Sequence, residues 1–236
     1  MKVPIEIALH LHHQVGYGTL ATHSTHLPGY PFATILPFVP DENHRPVFFI
    51  SRLAEHTKNL LADPRASFLI AQPNGEDVQT GARVTVAGEV RPIDATDGLA
   101  ARYLRYHPEA KQLLEFGDFA FFRLEPARLR LIAGFGQAGW VVEAAWKAIP
   151  SLSLLQESEL LNTLDVQFAD RLRVQGLDRY GIDMLLHGKR ERLRFRDAPL
   201  VPGELEIAAR RMLELCLLVN EQAEHAPSGK NLLHLE

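Results

Sequence analysis

The chain has 236 residues, 46% of them hydrophobic and 23% charged, with a formal net charge of −4; that leaves room for one large domain or two, and it lacks the basic excess that nucleic-acid binders show. A single cysteine, Cys216, excludes an internal disulfide and a cysteine-based zinc site, and its apolar helical surroundings read as core. Histidines interrupt "MKVPIEIALHLHHQVG" where a secretory leader needs an apolar run, and no stretch is long enough to span a bilayer, so the expected location is cytoplasmic, with no membrane or nucleic acid as partner.

Residues 5–14 have the pattern of a short amphipathic helix. "YGTLATHS", "YPFATILPF" and "PVFFI" then follow in quick succession, rich in β-branched and aromatic residues and separated by Gly, Pro and Asp, which reads as three strands in a meander. "SRLAEHTKNLLADP" supplies one helix, with Leu53, Leu60 and Leu61 on one face and an end at Asp63-Pro64, because the residue before proline avoids the α region. "ASFLIAQ" is a strand, and "ARVTVAGEVRPI" alternates Val84, Val86, Gly88 and Val90 at the period of a half-buried strand, with the glycine marking a bend or a close backbone approach. Residues 95–115 look helical with a break at His107-Pro108. "DFAFFRLEP" and "ARLRLIAGFGQAGWVV" return to strand texture, giving about six strands in the first 147 residues, a number suited to an antiparallel barrel.

The remainder, 148–236, reads as a smaller α+β domain with a tail. "SLLQESELLNTL" is helical, a hairpin turns around His187-Gly188-Lys189, and residues 203–222 form a helix with Leu205, Ala208, Met212 and Cys216 on one side.

Between "VFFI" and "SFLIA", the run Ser51, Arg52, Thr57, Lys58, Asn59 sits where a strand gives way to a helix, the place where helix-start N–H groups and basic side chains attract anions. The alternative is a solvated helix face capped by Ser51. His10 and His13, three apart on the first helix, and His23 and His26, flanking a turn, offer imidazoles without carboxylates at regular spacing, which reads as surface histidine before metal site.

"SRLAEHTKNLLADPRASFLI", "ARVTVAGEV", "YLRYHPEA", "DFAFFRLEP" and "AGFGQAGWV", in that order, resemble the flavin-binding split-barrel superfamily of pyridoxamine phosphate oxidase, and more narrowly its haem-utilisation branch of the HugZ and HutZ type. "GLDRYGIDMLL" and "RLRF" resemble the small α+β domain joined to that branch, so the likeness covers nearly the whole chain. The fold it implies is a six-stranded antiparallel split β-barrel with a smaller C-terminal α+β domain, assembled as a homodimer.

The resemblance assigns Ser51, Arg52, Thr57, Lys58 and Asn59 to the phosphate of flavin mononucleotide (FMN), with Arg83 adding a charge. Glu55 departs from the oxidase's run and would repel a phosphate, and the oxidase's C-terminal Arg-Leu-His signature is missing, which argues against pyridoxamine phosphate oxidation. In the haem branch the equivalent of "AGFGQAGWV" lies beside the porphyrin. Gly134 and Gly136 then let a flat ligand approach, and Phe135 packs on it. Gln137 stands where that branch carries a basic residue, a loss that Arg128 and Arg130 upstream partly replace. A glycine-rich bulge closing the barrel is the alternative. The branch also implies a haem-iron ligand from the C-terminal segment, for which this tail offers His234 and His225, and the His-Ala-Asp motif common in the appended domain is Phe168-Ala169-Asp170 here. The function so implied is haem binding and degradation for iron release, an oxidoreductase reaction with an external electron donor. An FMN-dependent oxidoreductase and a non-catalytic haem or flavin carrier are the alternatives.

Overall fold

The computed structural model describes residues 4–72, 81–134, 136–168, 172–186 and 188–224. The chain divides into two compact units, Met1–Leu155 and Gln156–Glu236.

In the first unit the helix α1 (Ile5–Gln14) precedes β1 (Tyr17–His23), β2 (Pro31–Pro37), the two-residue β3 (Val39–Pro40) and β4 (Pro46–Ser51). Then come α2 (Glu55–Ala62), β5 (Arg65–Ala71), β6 (Arg83–Pro92), α3 (Asp97–Tyr106), the short α4 (Ala110–Leu113), β7 (Phe119–Gly134), β8 (Gln137–Val142) and α5 (Glu143–Lys147). All the strands join one antiparallel, curled sheet in the order β2-β1-β5-β6-β7-β4-β3, with β8 added to β7. Eight strands stand where six are expected. The sequence pattern splits "DFAFFRLEPARLRLIAG" at Pro126, but the structure runs it as one 16-residue strand. Proline is tolerated because the β6–β7 register shifts at Ala87/Gly88, so that Arg128 faces Ala87 and Pro126 faces Gly88, and a bulge does not need the missing N–H.

That long strand organises the unit. Its first part pairs with β4, its last part with β8 and its middle, residues 122–132, with β6. Alternation sends Leu124, Leu129 and Leu131 inward to meet Val84, Val86, Ile70 and Phe68, all fully buried. Phe68 receives Phe38 and Phe48 edge-on, with ring centroids 5.0 and 4.9 Å away. The continuous apolar run of β4 is explained by burial on both sides: Phe48 enters the barrel core, while Phe49 packs in a second cluster with Leu99, Tyr103 and Tyr106 of α3.

Two helical expectations change. α2 begins at Glu55, which leaves Leu53 before the helix, and only Leu60 of the three leucines is buried. In the second unit, α6 (Leu154–Phe168) and α7 (Pro202–Glu224) accompany a sheet ordered β11 (Lys189–Arg194), β10 (Gly181–Leu186), β9 (Arg173–Leu177). The buried stripe of α7 is Leu205, Ala209, Leu213, Cys216 and Leu217, and Ala208 and Met212 stand at its half-exposed margin. Leu205 and Cys216 are buried as expected, and between them packing chose Ala209 and Leu213, one residue on from Ala208 and Met212. The β10–β11 hairpin turns as expected, with Gly188 at φ 75; His187 lies outside the described residues. Cys216 is core as expected, and burial pushes its thiol pKa up. Arg192 is wholly buried on β11, its guanidinium donating to Asp178 at 2.8 Å and Asp183 at 2.5 Å, so this cation serves the sheet.

At Gly88 a Cβ would lie 2.0 Å from the Glu125 carbonyl oxygen. Gly88→Ala must therefore push β6 from β7, and urea unfolding is expected to show a loss of about 3 kcal/mol. An unchanged midpoint would mean that the bulge absorbs the methyl.

Candidate functional site

The cluster after β4 is built from its backbone outward. The Ser51 carbonyl accepts from Ala54 N and from Thr57 Oγ1, the latter at 2.7 Å. The Ser51 hydroxyl donates to the Asp118 carboxylate and accepts from Leu53 N at 3.1 Å. Asn59, fully buried, accepts from Thr25 N at 2.8 Å and Thr25 Oγ1 at 2.9 Å, and donates to Thr22 Oγ1 at 3.0 Å. Its amide thereby ties the β1–β2 connection to α2. Thr57 and Asn59 present no surface to a ligand, Ser51 is engaged by Asp118, and Arg52 and Lys58 are the exposed members of the group. With Asp118 and Glu55 beside them, this is a polar lock carrying two surface cations rather than a closed anion cradle.

A second arrangement lies on the outward face of the sheet. Register brings Ile35, Thr19, Leu69, Thr85, Arg130 and Trp140 into one row across β2, β1, β5, β6, β7 and β8. Five inter-strand gaps make it about 24 Å wide. Ala33, Ala21, Ser67, Ala87, Arg128 and Val142 form the next row. Small and apolar side chains separate the arginines from the β2 edge, and Ile35 at 68% and Trp140 at 61% exposure leave the face open. Arg83 and Arg130 stand diagonally on neighbouring strands, about 8 Å apart. Arg130 lies over the Trp140 ring, its guanidinium carbon 5.5 Å from the centroid, so the cation is oriented by an aromatic plane.

At one end of this face Gly134 pairs with Gln137, closing the β7–β8 hairpin through Gly136, with φ 143 and 74 at the two glycines. A left-handed backbone at Gly136 is the reason for glycine there. The sequence-derived Arg83, Arg130, Gly134 and Gly136 thus come together, apart from the α2 cluster. Phe135, His225 and His234 lie outside the described residues. Trp140 and Thr85 were missed by sequence reasoning. The alternation "RLRLI" beside "VTVAG" carried the signal, since Arg128 and Arg130 must share the face opposite Leu129 and Leu131.

The N-terminal histidines are largely interior. His10, His12, His13 and His44 are buried, and His13 Nε2 lies 3.0 Å from His44 Nδ1. His23 and His26 are exposed. His12 Nδ1–H donates to the Ala8 carbonyl at 2.7 Å, its ring packs on Trp146 at 4.9 Å, and its Nε2 has no hydrogen-bond partner. Burial, opposed by the Ala8 bond and assisted by His13, lowers its pKa to about 4, so the ring is neutral at pH 7. Among the described residues no helix is long and apolar enough to cross a membrane.

Comparison with known proteins gives a family match over residues 4–148 to the model described as CREG, beta-barrel. The chloroplastic non-canonical heme oxygenase HOZ of Arabidopsis thaliana is 41% identical over 123 residues, which are 51% of this chain and 37% of that protein. The match therefore spans little more than a third of HOZ. Heme oxygenase HutZ of Vibrio cholerae is 28% identical over 127 residues, 51% of this chain and 72% of HutZ. Among solved structures, the heme binding protein from Mycobacterium smegmatis is similar at TM-score 0.58 and 27% identity, covering 96% of this chain and 100% of that one.

The His12 imidazole binds its proton more readily in the unfolded chain, whose histidine pKa is near 6.5, than in the folded one. Stability is therefore full above the unfolded value and falls as pH drops from 6.5 to 4, by about 3 kcal/mol for this group. Denaturant titrations between pH 7 and pH 4 are expected to show that extra loss in the parent but not in His12→Phe. Parallel curves would assign the acid lability to other groups.

Proposed function

This chain belongs to the CREG β-barrel family, on the HutZ-type branch of the split-barrel superfamily, and on that premise we propose that it binds haem on the outward face of its first sheet and opens the macrocycle oxidatively, releasing iron. The observation that carries the reading is the open outward face on which Arg83, Arg130 and Trp140 stand together among apolar and small side chains. A porphyrin offers what that surface lacks: an apolar plane to cover leucine, isoleucine and tryptophan, and two carboxylates for two arginines. Bound haem supplies the iron at which an external electron donor and dioxygen do the oxidative chemistry.

The protein's own residues supply position and charge. Arg130, braced by Trp140, and Arg83 hold the propionates; the strand backbone at Gly134 and Gly136 allows a flat ligand to come close. His225 and His234 are the candidates for the iron ligand. The β1–β2 side of the same face suits a two-fold partner, since Tyr17 and Ile35 stand uncovered there, away from Arg130 and Trp140. This oxidoreductase reading in a cytoplasmic homodimer stands ahead of an FMN enzyme because Asp118 and Glu55 accompany the α2 cluster, where a flavin phosphate would have to sit.

Ferric haem titrated into the full chain is expected to give saturable binding with a Soret shift. Arg83→Gln combined with Arg130→Gln should weaken it about tenfold, as two salt-screened charge contacts are lost, and one of His225→Ala and His234→Ala should change the Soret band. Sedimentation at micromolar concentration should show a dimer that Ile35→Lys dissociates. Saturable FMN binding with no haem binding would overturn the reading.

A further inference from the structure

Resting on the haem reading, we infer that this site recognises the macrocycle and its two carboxylates rather than the iron, so that its ligand class extends to metal-free porphyrin dicarboxylates. The two central rows of the face consist of aliphatic and small side chains, two threonines, Ser67, Arg128, Arg130 and Trp140. Among the described residues of those rows there is no histidine, cysteine or methionine. Among the described residues, His23 is the imidazole on this face of β1; it stands two residues beyond Ala21, and β1 lies three strand gaps or about 14 Å from β7. Tyr17 brings a phenol, but from β1, three strand gaps or about 14 Å from β7.

The groups that do reach a ligand here act on its periphery and its plane. A ring lying on Leu69, Thr85 and Trp140 gains burial of carbon surface, which is the same with or without a metal at its centre. Arg83 and Arg130, diagonal on adjacent strands, address anionic groups at the rim. Arg130 keeps its geometry through the Trp140 plane, so the carboxylate contact and the ring contact are made by one coupled pair. An iron ligand arriving from elsewhere would change the spectrum and the chemistry while adding to an affinity already set by the sheet.

Fluorescence reports this directly, because Trp140 is 61% exposed on the face and Trp146 is 2% exposed in the core. The full chain is titrated in parallel with ferric haem, protoporphyrin IX and protoporphyrin IX dimethyl ester, following tryptophan quenching, with Trp140→Leu as the control that isolates the signal of this face. The expected result is a protoporphyrin IX Kd within tenfold of that for haem, at least tenfold weaker binding of the ester, and equal weakening of haem and protoporphyrin IX by Arg83→Gln with Arg130→Gln. Haem bound more than tenfold tighter than protoporphyrin IX would overturn the inference and leave the haem reading standing. Binding of neither would overturn both.

Discussion

The antiparallel pairing of β7 with three neighbours is the constraint from which the rest of the first unit follows. A strand 16 residues long, bonded to β6 through its middle, to β4 at one end and to β8 at the other, allows its side chains only two directions. Leu124, Leu129 and Leu131 take one and build the core with the valines of β6. Arg128 and Arg130 are thereby obliged to take the other. A one-residue slip would exchange the two sets and place guanidinium groups inside the barrel, where burial without partners costs several kcal/mol each. The register is anchored where Gly88 approaches Glu125 too closely for any side chain. The basic, apolar outer face is thus the complement of the core pattern, written by the same residues.

Much of this is visible in the sequence because it rests on local alternation and turn chemistry. α1, β1, β2, β4, β5, β6 and the Gly188 hairpin are each carried by period-two or helical spacing and by the glycines and prolines between them. What failed depended on contacts beyond the segment. Pro126 reads as a breaker unless one knows that the opposite strand bulges at Gly88. Leu53 and Leu61 read as core partners of Leu60 unless one knows that α2 begins late and lies with Leu60 alone turned in. The stripe of α7 keeps Leu205 and Cys216 but takes Ala209 and Leu213 between them, because two apolar sets fit a helix equally well and only tertiary packing selects between them.

The candidate residues separate for a similar reason. Ser51, Thr57 and Asn59 are polar residues at a strand-to-helix junction, which is the composition of an anion site and also of a structural lock. The partner that decides, Thr25, is 34 residues away. Arg83 and Arg130 belong to strands whose alternation was legible, so their common face followed once the pairing was known. Trp140 escaped notice because a lone tryptophan in "AGWVV" has no spacing signal, and its meaning comes from Arg130 directly across the ladder. The buried histidines reverse a common expectation for a polar-looking stretch: "HLHH" is interior, with His12 kept neutral by its surroundings.

The central claim is that the outward face of β6, β7 and β8 is the ligand surface. Hydrogen–deuterium exchange of the full chain, with and without saturating ferric haem, tests it at the level of the backbone. β8 pairs only with β7 among the described strands, so its amides exchange through local opening that a ligand lying across the hairpin must suppress. The account predicts slowed exchange over residues 83–87 and 128–142, with little change in α2. Protection concentrated in residues 51–62, with β6 to β8 unaffected, would contradict it.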